Sequence, residues 1–231
     1  MKSFQVQKIL KDVQDSYVDM ADDFVISRPY PWRIMTYLAQ WIKPGQRVLD
    51  WGCGHGRFYQ AIADKQVDYW GFDNCKPLLE KAQAQYPNAH WCAEEKNIPN
   101  QFDIIVALAS WQHLPSRHLR YEYLRRWEEQ LTSGGYLLLT SWNLGSRRYW
   151  RQWLKNNLVN WLRGWEWNDM QVPWRAGGKV LWRYYHYITK RELSGYIEKM
   201  SFSIELLDYF KQDKKSDWQR GENLVLVAKK L

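Results

Sequence analysis

Asp50-Trp51-Gly52-Cys53-Gly54-His55-Gly56-Arg57 follows the short apolar run Arg47-Val48-Leu49 and precedes a helix-like segment, Phe58 to Ala63. A strand that ends in an acid, then glycines at alternate positions, then a helix, describes a loop shaped around a small ligand. Each glycine lets backbone approach the ligand, or take a positive φ, without a Cβ clash. Asp50, at the strand end, is placed to accept hydrogen bonds from an amine. The dinucleotide fingerprint G-x-G-x-x-G would need its third glycine at position 57, which is Arg57. A nicotinamide cofactor is therefore disfavoured from the outset.

Working outward, the 231 residues alternate helix and strand. Helices are expected over 3–20, 30–42, 57–64, 75–85 and 117–131. Strands are expected over 47–50, 67–72, 88–92 and 102–108, with a fifth over 136–142 after the Ser133-Gly134-Gly135 turn. Such alternation predicts an α/β fold, a mostly parallel sheet with helices on both faces. Two further β-rich runs, 202–209 and 223–229, are joined by the polar segment 211–222. We expect a single domain over 1–231, with N-terminal helices within 1–43 and a long insertion at about 143–187. Long connections at the C-terminal edge of a parallel sheet commonly carry the substrate site. This one holds Trp150, Trp153, Trp161, Trp165, Trp167, Trp174 and Trp182 together with Arg147, Arg148, Arg151 and Arg163.

Composition narrows the class. The net charge of +8 is unevenly spread: residues 1–110 carry −1 and residues 111–231 carry +9. The excess cations are interleaved with many of the 16 Trp and 15 Tyr. Cations offer phosphate contacts and aromatic faces stack on unpaired bases, although a solvated basic face over an aromatic core has the same composition. No apolar run approaches the roughly 20 residues of a membrane span, and the N-terminus lacks an apolar leader. No membrane partner is expected. Cys53, Cys75 and Cys92 have no metal-ligand spacing, which suggests a reduced cytoplasmic protein without structural zinc.

Asp73 ends the second strand, 17 residues after Gly56. An acid there suits the two hydroxyls of an adenosine ribose, or equally the N-cap of the helix over 75–85. Glu94 follows the third strand and either meets an adenine edge or is an exposed loop acid. Cys53 reads as a small loop filler rather than a nucleophile. His113 closes the fourth-strand segment and either faces the reacting group or simply holds the loop.

The pattern D-x-G-x-G-x-G formed by Asp50, Gly52, Gly54 and Gly56 resembles motif I of the class I S-adenosylmethionine-dependent methyltransferases. That resemblance implies a Rossmann-like, seven-stranded sheet ending in an antiparallel hairpin. It implies S-adenosyl-L-methionine as cofactor, held by Asp50, Gly52, Cys53, Gly54, Gly56 and Asp73, with Trp32, Asn74, Ala93, Glu94 and Ala109 nearby. Arg28 would pair with the methionine carboxylate of the donor, and a His at the position of His113 faces the donor methyl group in many such folds. Three further segments resemble the tRNA wobble-uridine methyltransferases, which convert 5-carboxymethyluridine to its methyl ester. These are the stretch from Ser16 to Phe24 with Ser27-Arg28-Pro29-Tyr30-Pro31-Trp32, then Val172-Pro173-Trp174, then Arg183-Tyr184-Tyr185-His186. Trp142 matches the Trp ending their fifth strand. The chain departs from that pattern at Gln112-His113, where the family has paired histidines, at His55, and over the Arg- and Trp-rich 144–167.

The chemistry implied is transfer to a carboxylate, which with a pKa of about 4 is already ionised at neutral pH and needs no general base. Candidates to hold the acceptor are Trp142, Asn143, Arg183, Tyr184 and His186. Strand alternation puts Tyr184 and Tyr185 on opposite faces, so one of them should be core. The tRNA anticodon loop would meet Arg147, Arg148, Arg151 and Arg163, and the resemblance also implies a small zinc-binding activator protein as partner. Two alternatives stay open, a small-molecule O- or N-methyltransferase on the same fold and a non-catalytic RNA-binding protein. The charge asymmetry counts against the first and the intact donor loop against the second.

Overall fold

The computed structural model describes residues 1–176 and 178–231; Gly177, inside the expected insertion, lies outside the described residues. Five parallel strands form its centre: β1 (Arg47–Trp51), β2 (Asp68–Phe72), β3 (His90–Cys92), β4 (Phe102–Leu108) and β5 (Leu131–Trp142). Between and around them run α1 (Ser3–Asp19), α2 (Ala21–Ile26), α3 (Arg33–Leu38), α4 (Arg57–Ile62), α5 (Lys76–Gln85) and α6 (Arg117–Gln130). The remainder is α7 (Trp150–Arg163), β6 (Asp169–Ala176), β7 (Lys179–His186), α8 (Lys190–Ile197), β8 (Phe202–Lys211), β9 (Lys214–Ser216) and β10 (Asn223–Lys230). The main sheet has the order β3-β2-β1-β4-β5-β10-β8-β9, and β10 runs antiparallel to both β5 and β8. This is the class I arrangement. No described helix is long and apolar enough to cross a membrane.

Period-two alternation decides which side chains meet which helices. Along β4, Ile105 and Ala107 pack with Leu124 and Trp127 of α6 and Leu193 and Ile197 of α8. Ile104 and Val106 point the other way, onto Ile34, Met35 and Leu38 of α3 and Phe58 and Ile62 of α4. A strand buried on both faces must be apolar, and β4 is so from Ile104 to Leu108.

The sheet has eight strands, one more than expected. The extra strand is β9, inside the polar segment 211–222, which folds back on β8 with Lys211 opposite Lys214. A two-residue turn closes the pair, with Gln212 at φ 58°. The Ser133-Gly134-Gly135 turn also differs: β5 runs through it as a bulge, with Gly134 at φ 76° and a register shift between Phe102 and Ile104. The helix expected over 30–42 shortens to α3 and one 3-10 turn, since Pro31 keeps the preceding residue extended. The insertion folds into α7 and the antiparallel β6–β7 hairpin, which packs on α1 through β7.

Candidate active site

Strand order reverses between β1 and β4, and ligands of open α/β sheets bind at such a switch point. A cavity of about 230 Å³ opens there, walled by the loops after β1, β2 and β4, by the end of β5, by α1, and by β7. Gly52 holds φ 78°, and a Cβ on it would lie 2.4 Å from Ser110 Cβ, so only glycine lets the two loops touch. Gly56 (φ 83°) is the left-handed N-cap of α4 and packs behind the loop against Trp91 and Tyr86.

Asp50 is buried and accepts a hydrogen bond of 2.6 Å from the Tyr69 hydroxyl. Burial pushes its carboxyl up to about 7, against that hydrogen bond. Asp73 accepts from the amides of Gly54 (2.8 Å) and Cys75 (2.9 Å), one on each oxygen. It therefore ties the glycine loop to the start of α5. A carboxylate has about four lone-pair sites, so Asp73 still has acceptors to offer the cavity it lines. Burial pushes the Cys53 thiol well up, as befits a filler. Trp32, Asn74 and Ala109 also line the cavity.

Ala93 and Glu94 are not brought into the lining. Glu94 turns outward to pair with Lys96 (2.6 Å), and it is Glu95, one residue on, that reaches the cavity. Tyr123 and Arg126 hold that carboxylate.

The cavity is also lined by three guanidinium groups, of Arg28, Arg57 and Arg183, none paired with a carboxylate among the described residues. Arg28 and Arg183 lie on the Trp174 ring at 4.4 and 4.6 Å from its centroid, and Arg57 lies on Trp32 at 4.5 Å. The buried Nη1 of Arg57 and Nε of Arg183 have no hydrogen-bond partner among the described residues. Burial and the neighbouring Arg28 charge lower Arg57 to about 10. Buried cations without counter-ions mark a place for ligand anions. Acids and unpaired guanidiniums lining one cavity fit a donor that carries an amino group, a ribose and a carboxylate.

Arg183 belongs to a connected chain. Its Nη1 donates to the Tyr17 hydroxyl (3.0 Å), which lies 3.0 Å from His113 Nε2, while His113 Nδ1 lies 2.8 Å from the Tyr184 carbonyl. A carbonyl only accepts, so Nδ1 carries the proton, Nε2 is the acceptor, and Tyr17 donates to it. Burial and the Arg183 charge lower His113 to about 3, which keeps it neutral with both nitrogens engaged.

The acceptor candidates divide by strand parity. Arg183 and Tyr185 face the cavity, and Trp142 stacks on Tyr185 at 5.4 Å. Tyr184 and His186 face the other way. Asn143 is also outside the cavity; it donates to the carbonyls of Trp218 and Gly221 and so pins the loop before β10. Arg147, Arg148, Arg151 and Arg163 are all exposed, the first two in the loop after β5 and the others on α7. Sequence reasoning missed Tyr17, Arg57 and Tyr185. Alternation from Arg183 would have found Tyr185, and the charge directly after the glycine loop was the signal for Arg57.

Behind β7, Tyr184 donates to Asp169 Oδ1 (2.6 Å), and His186 bridges Asp169 (2.7 Å) and Glu192 (3.1 Å). Arg120 reaches Glu166 and Glu192. Glu166, Asp169 and His186 offer atoms within 4.8 Å of one another, as a metal site would, but here Arg120 supplies a cation. Both His186 nitrogens face carboxylates, so both carry protons. Burial and the Arg120 charge oppose that imidazolium, yet the hydrogen bonds to Asp169 and Glu192 raise its pKa. The stabilisation is fully present below the unfolded value of about 6.5 and is lost as pH rises through the higher folded value. Urea unfolding at pH 6 and pH 9 should therefore show native protein losing stability on the alkaline side, and His186→Gln should flatten that loss. Equal slopes in the two proteins would show that His186 is neutral.

Comparison with known proteins gives the same fold. Residues 27–206, more than half of the chain, match a family described as a methyltransferase domain. The tRNA (carboxymethyluridine(34)-5-O)-methyltransferase of Saccharomyces cerevisiae is 28% identical over 169 residues, which is 70% of this chain and 56% of that protein. The Schizosaccharomyces pombe protein of that name is 25% identical over 215 residues, 83% and 89% of the two chains. Probable tRNA methyltransferase 9B of Bos taurus is 26% identical over 165 residues, and the match spans 33% of its length and 70% of this chain. These are the relatives that the sequence motifs resemble. Among solved structures, a methyltransferase of Methanosarcina mazei described as S-adenosylmethionine-dependent superposes with a TM-score of 0.68 at 18% identity, over 84% of this chain and 96% of its own. The magnesium protoporphyrin IX methyltransferase of Synechocystis, solved with bound S-adenosylmethionine, gives 0.54 at 13%, over 96% and 84%. With its glycine loop, Asp50 and Asp73 at the switch point of that same fold, the chain belongs to the methyltransferase-domain family.

Proposed function

We propose that this methyltransferase esterifies the carboxylate of a 5-carboxymethyluridine-type wobble nucleoside in tRNA. What carries the proposal is the Arg183–Tyr17–His113 chain, which presents an uncompensated cation and no free base. A hydroxyl acceptor would need a group to take its proton, and His113 has no nitrogen to spare. A protonated amine would be repelled by Arg183. An ionised carboxylate is attracted by Arg183 and needs no base.

When bound, S-adenosylmethionine supplies an electrophilic methyl group. Asp73 would take the ribose hydroxyls, Asp50 the amino group, and Arg28 with Arg57 the donor carboxylate. Arg183 is then left for the acceptor. It shares the Trp174 ring with Arg28, and Tyr17 fixes its orientation. Trp142 and Tyr185 form an aromatic wall beside it, suited to a planar base. With the acceptor already ionised, the residues contribute positioning and exclusion of water. Arg147 and Arg148, on the loop following Trp142, are the cations we assign to anticodon-loop phosphates. The relatives named for carboxymethyluridine support the same acceptor, and a small zinc-binding activator remains a proposed partner.

The test uses purified protein, isotopically labelled S-adenosylmethionine and two tRNA pools, one carrying carboxymethyluridine and one lacking it. We expect label as a base-labile ester from the first pool only. Donor binding without label in either pool, also after co-expression with a zinc-binding activator, would move the assignment to a small-molecule acceptor.

A further inference from the structure

Helix α7 is amphipathic the wrong way round. Its inward face is polar: Asn156 and Asn157 accept from the amides of Gln171 and Asn168, and Asn160 donates to the carbonyls of Glu166 and Asp169. Gln152 donates to the Gln171 carbonyl. These side chains take the backbone groups that the edge of β6 would otherwise leave unpaired. The outward face is apolar. Trp150, Leu154, Leu158, Trp161 and Leu162 recur at helical spacing and are 48%, 42%, 65%, 76% and 68% exposed. Five large apolar side chains on one ridge form a patch that water does not favour.

Three features identify what covers the ridge. Arg151, Lys155 and Arg163 flank it, all exposed, and no acidic residue occurs from 130 to 165. The covering surface is therefore negative. Next, α7 packs on β6, β6 pairs with β7, and β7 packs on α1, so the hairpin stands between the ridge and the cavity wall formed by Tyr17 and Arg183. The ridge thus serves something other than the reacting nucleoside. Lastly, Leu154, Leu158 and Leu162 offer RNA neither a stacking plane nor a hydrogen bond. A second copy packed symmetrically on the ridge would set the cations flanking one ridge beside those of the other, with no acid on either helix to pair them.

We infer that α7 is an interfacial helix that docks this protein on an anionic lipid bilayer. Its leucines enter the acyl boundary, Trp150 and Trp161 sit at headgroup level, and Arg151, Lys155 and Arg163 meet lipid phosphates. The expectation of no membrane partner rested on the lack of a span, which a helix lying in the surface does not need. This inference is independent of the tRNA assignment.

The full chain is sedimented with vesicles of phosphatidylcholine, alone or mixed with phosphatidylglycerol, at low and high salt. Binding is expected with the anionic vesicles, weakening with salt. The double variant Leu158→Glu/Trp161→Glu should bind them at least about tenfold more weakly, given two charges placed in the acyl boundary. Because both side chains point outward, S-adenosylmethionine binding by the variant should match native and report an intact fold. Absence of native binding to anionic vesicles overturns the inference, as does binding that the variant retains. In the first case, a variant deficient in tRNA binding would assign the ridge to RNA. A native oligomer that the variant dissociates would assign it to a second copy.

Discussion

Arg183→Met is expected to lower kcat/KM for a carboxymethyluridine-bearing tRNA by about 10²–10³-fold while leaving S-adenosylmethionine affinity within about threefold of native. Methionine keeps an unbranched stem that still packs on Trp174 but removes the charge. The effect is large because Arg183 is buried and meets no carboxylate among the described residues, so its interaction with an acceptor is little screened. A preorganised cation in such a place contributes about 3–4 kcal/mol to the barrier. Arg183→Lys should recover only part of it, since an ammonium lacks the planar fork that both stacks on Trp174 and reaches the Tyr17 hydroxyl. Binding and turnover must be read separately. If Arg183→Met weakens donor binding as much as it slows turnover, Arg183 belongs to the donor carboxylate and the acceptor is held elsewhere.

The donor half of this site was legible in the sequence because its chemistry lies in backbone that sequence spacing specifies. Glycines at 52 and 56 must be glycine for local steric reasons, and Asp73 sits where a strand ends. The acceptor half was legible only to within one residue. In β7 a shift of one position carries a side chain from the cavity to the network behind it, and so Tyr184 and His186 were candidates where Tyr185 is the cavity residue. Glu94 and Glu95 are the same kind of case, adjacent acids of which the loop turns only the second inward. Asp73 shows that two readings need not exclude one another: it anchors the start of α5 and lines the cavity at once. Asn143 directly follows Trp142, but the end of β5 turns it toward the carbonyls of Trp218 and Gly221. Helix α7 escaped notice because its apolar period marks an outward face, whereas periodicity alone is read as core.

Arg120→Met should be the most destabilising single change, costing about 3–5 kcal/mol of unfolding free energy, or roughly 6–20 °C in Tm for a chain of this size. Arg120 is 1% exposed, yet its guanidinium joins three segments: it donates to the Leu114 carbonyl (3.1 Å), to Glu166 before β6 (2.7 Å), and to Glu192 at the start of α8 (3.5 Å). Burial alone would raise both glutamates, but Arg120 holds Glu166 below the usual carboxylate range, and His186 with Arg120 does the same for Glu192. Truncation leaves Glu166, Asp169 and Glu192 with only the His186 imidazolium among them. Uncompensated buried charge is far more costly than a lost surface pair. The signature is therefore a rescue: Glu166→Gln added to Arg120→Met should restore part of the loss, since it removes a charge that has no counter-ion. An Arg120→Met loss below about 1 kcal/mol, or no gain from the second change, would show that water or relaxation already compensates these acids. The outcome also bears on catalysis, because the network grips the back of β7, the strand whose front carries Arg183. A chain loosened there should lose turnover before it loses donor binding, the same asymmetry expected of Arg183→Met but reached without touching the cavity.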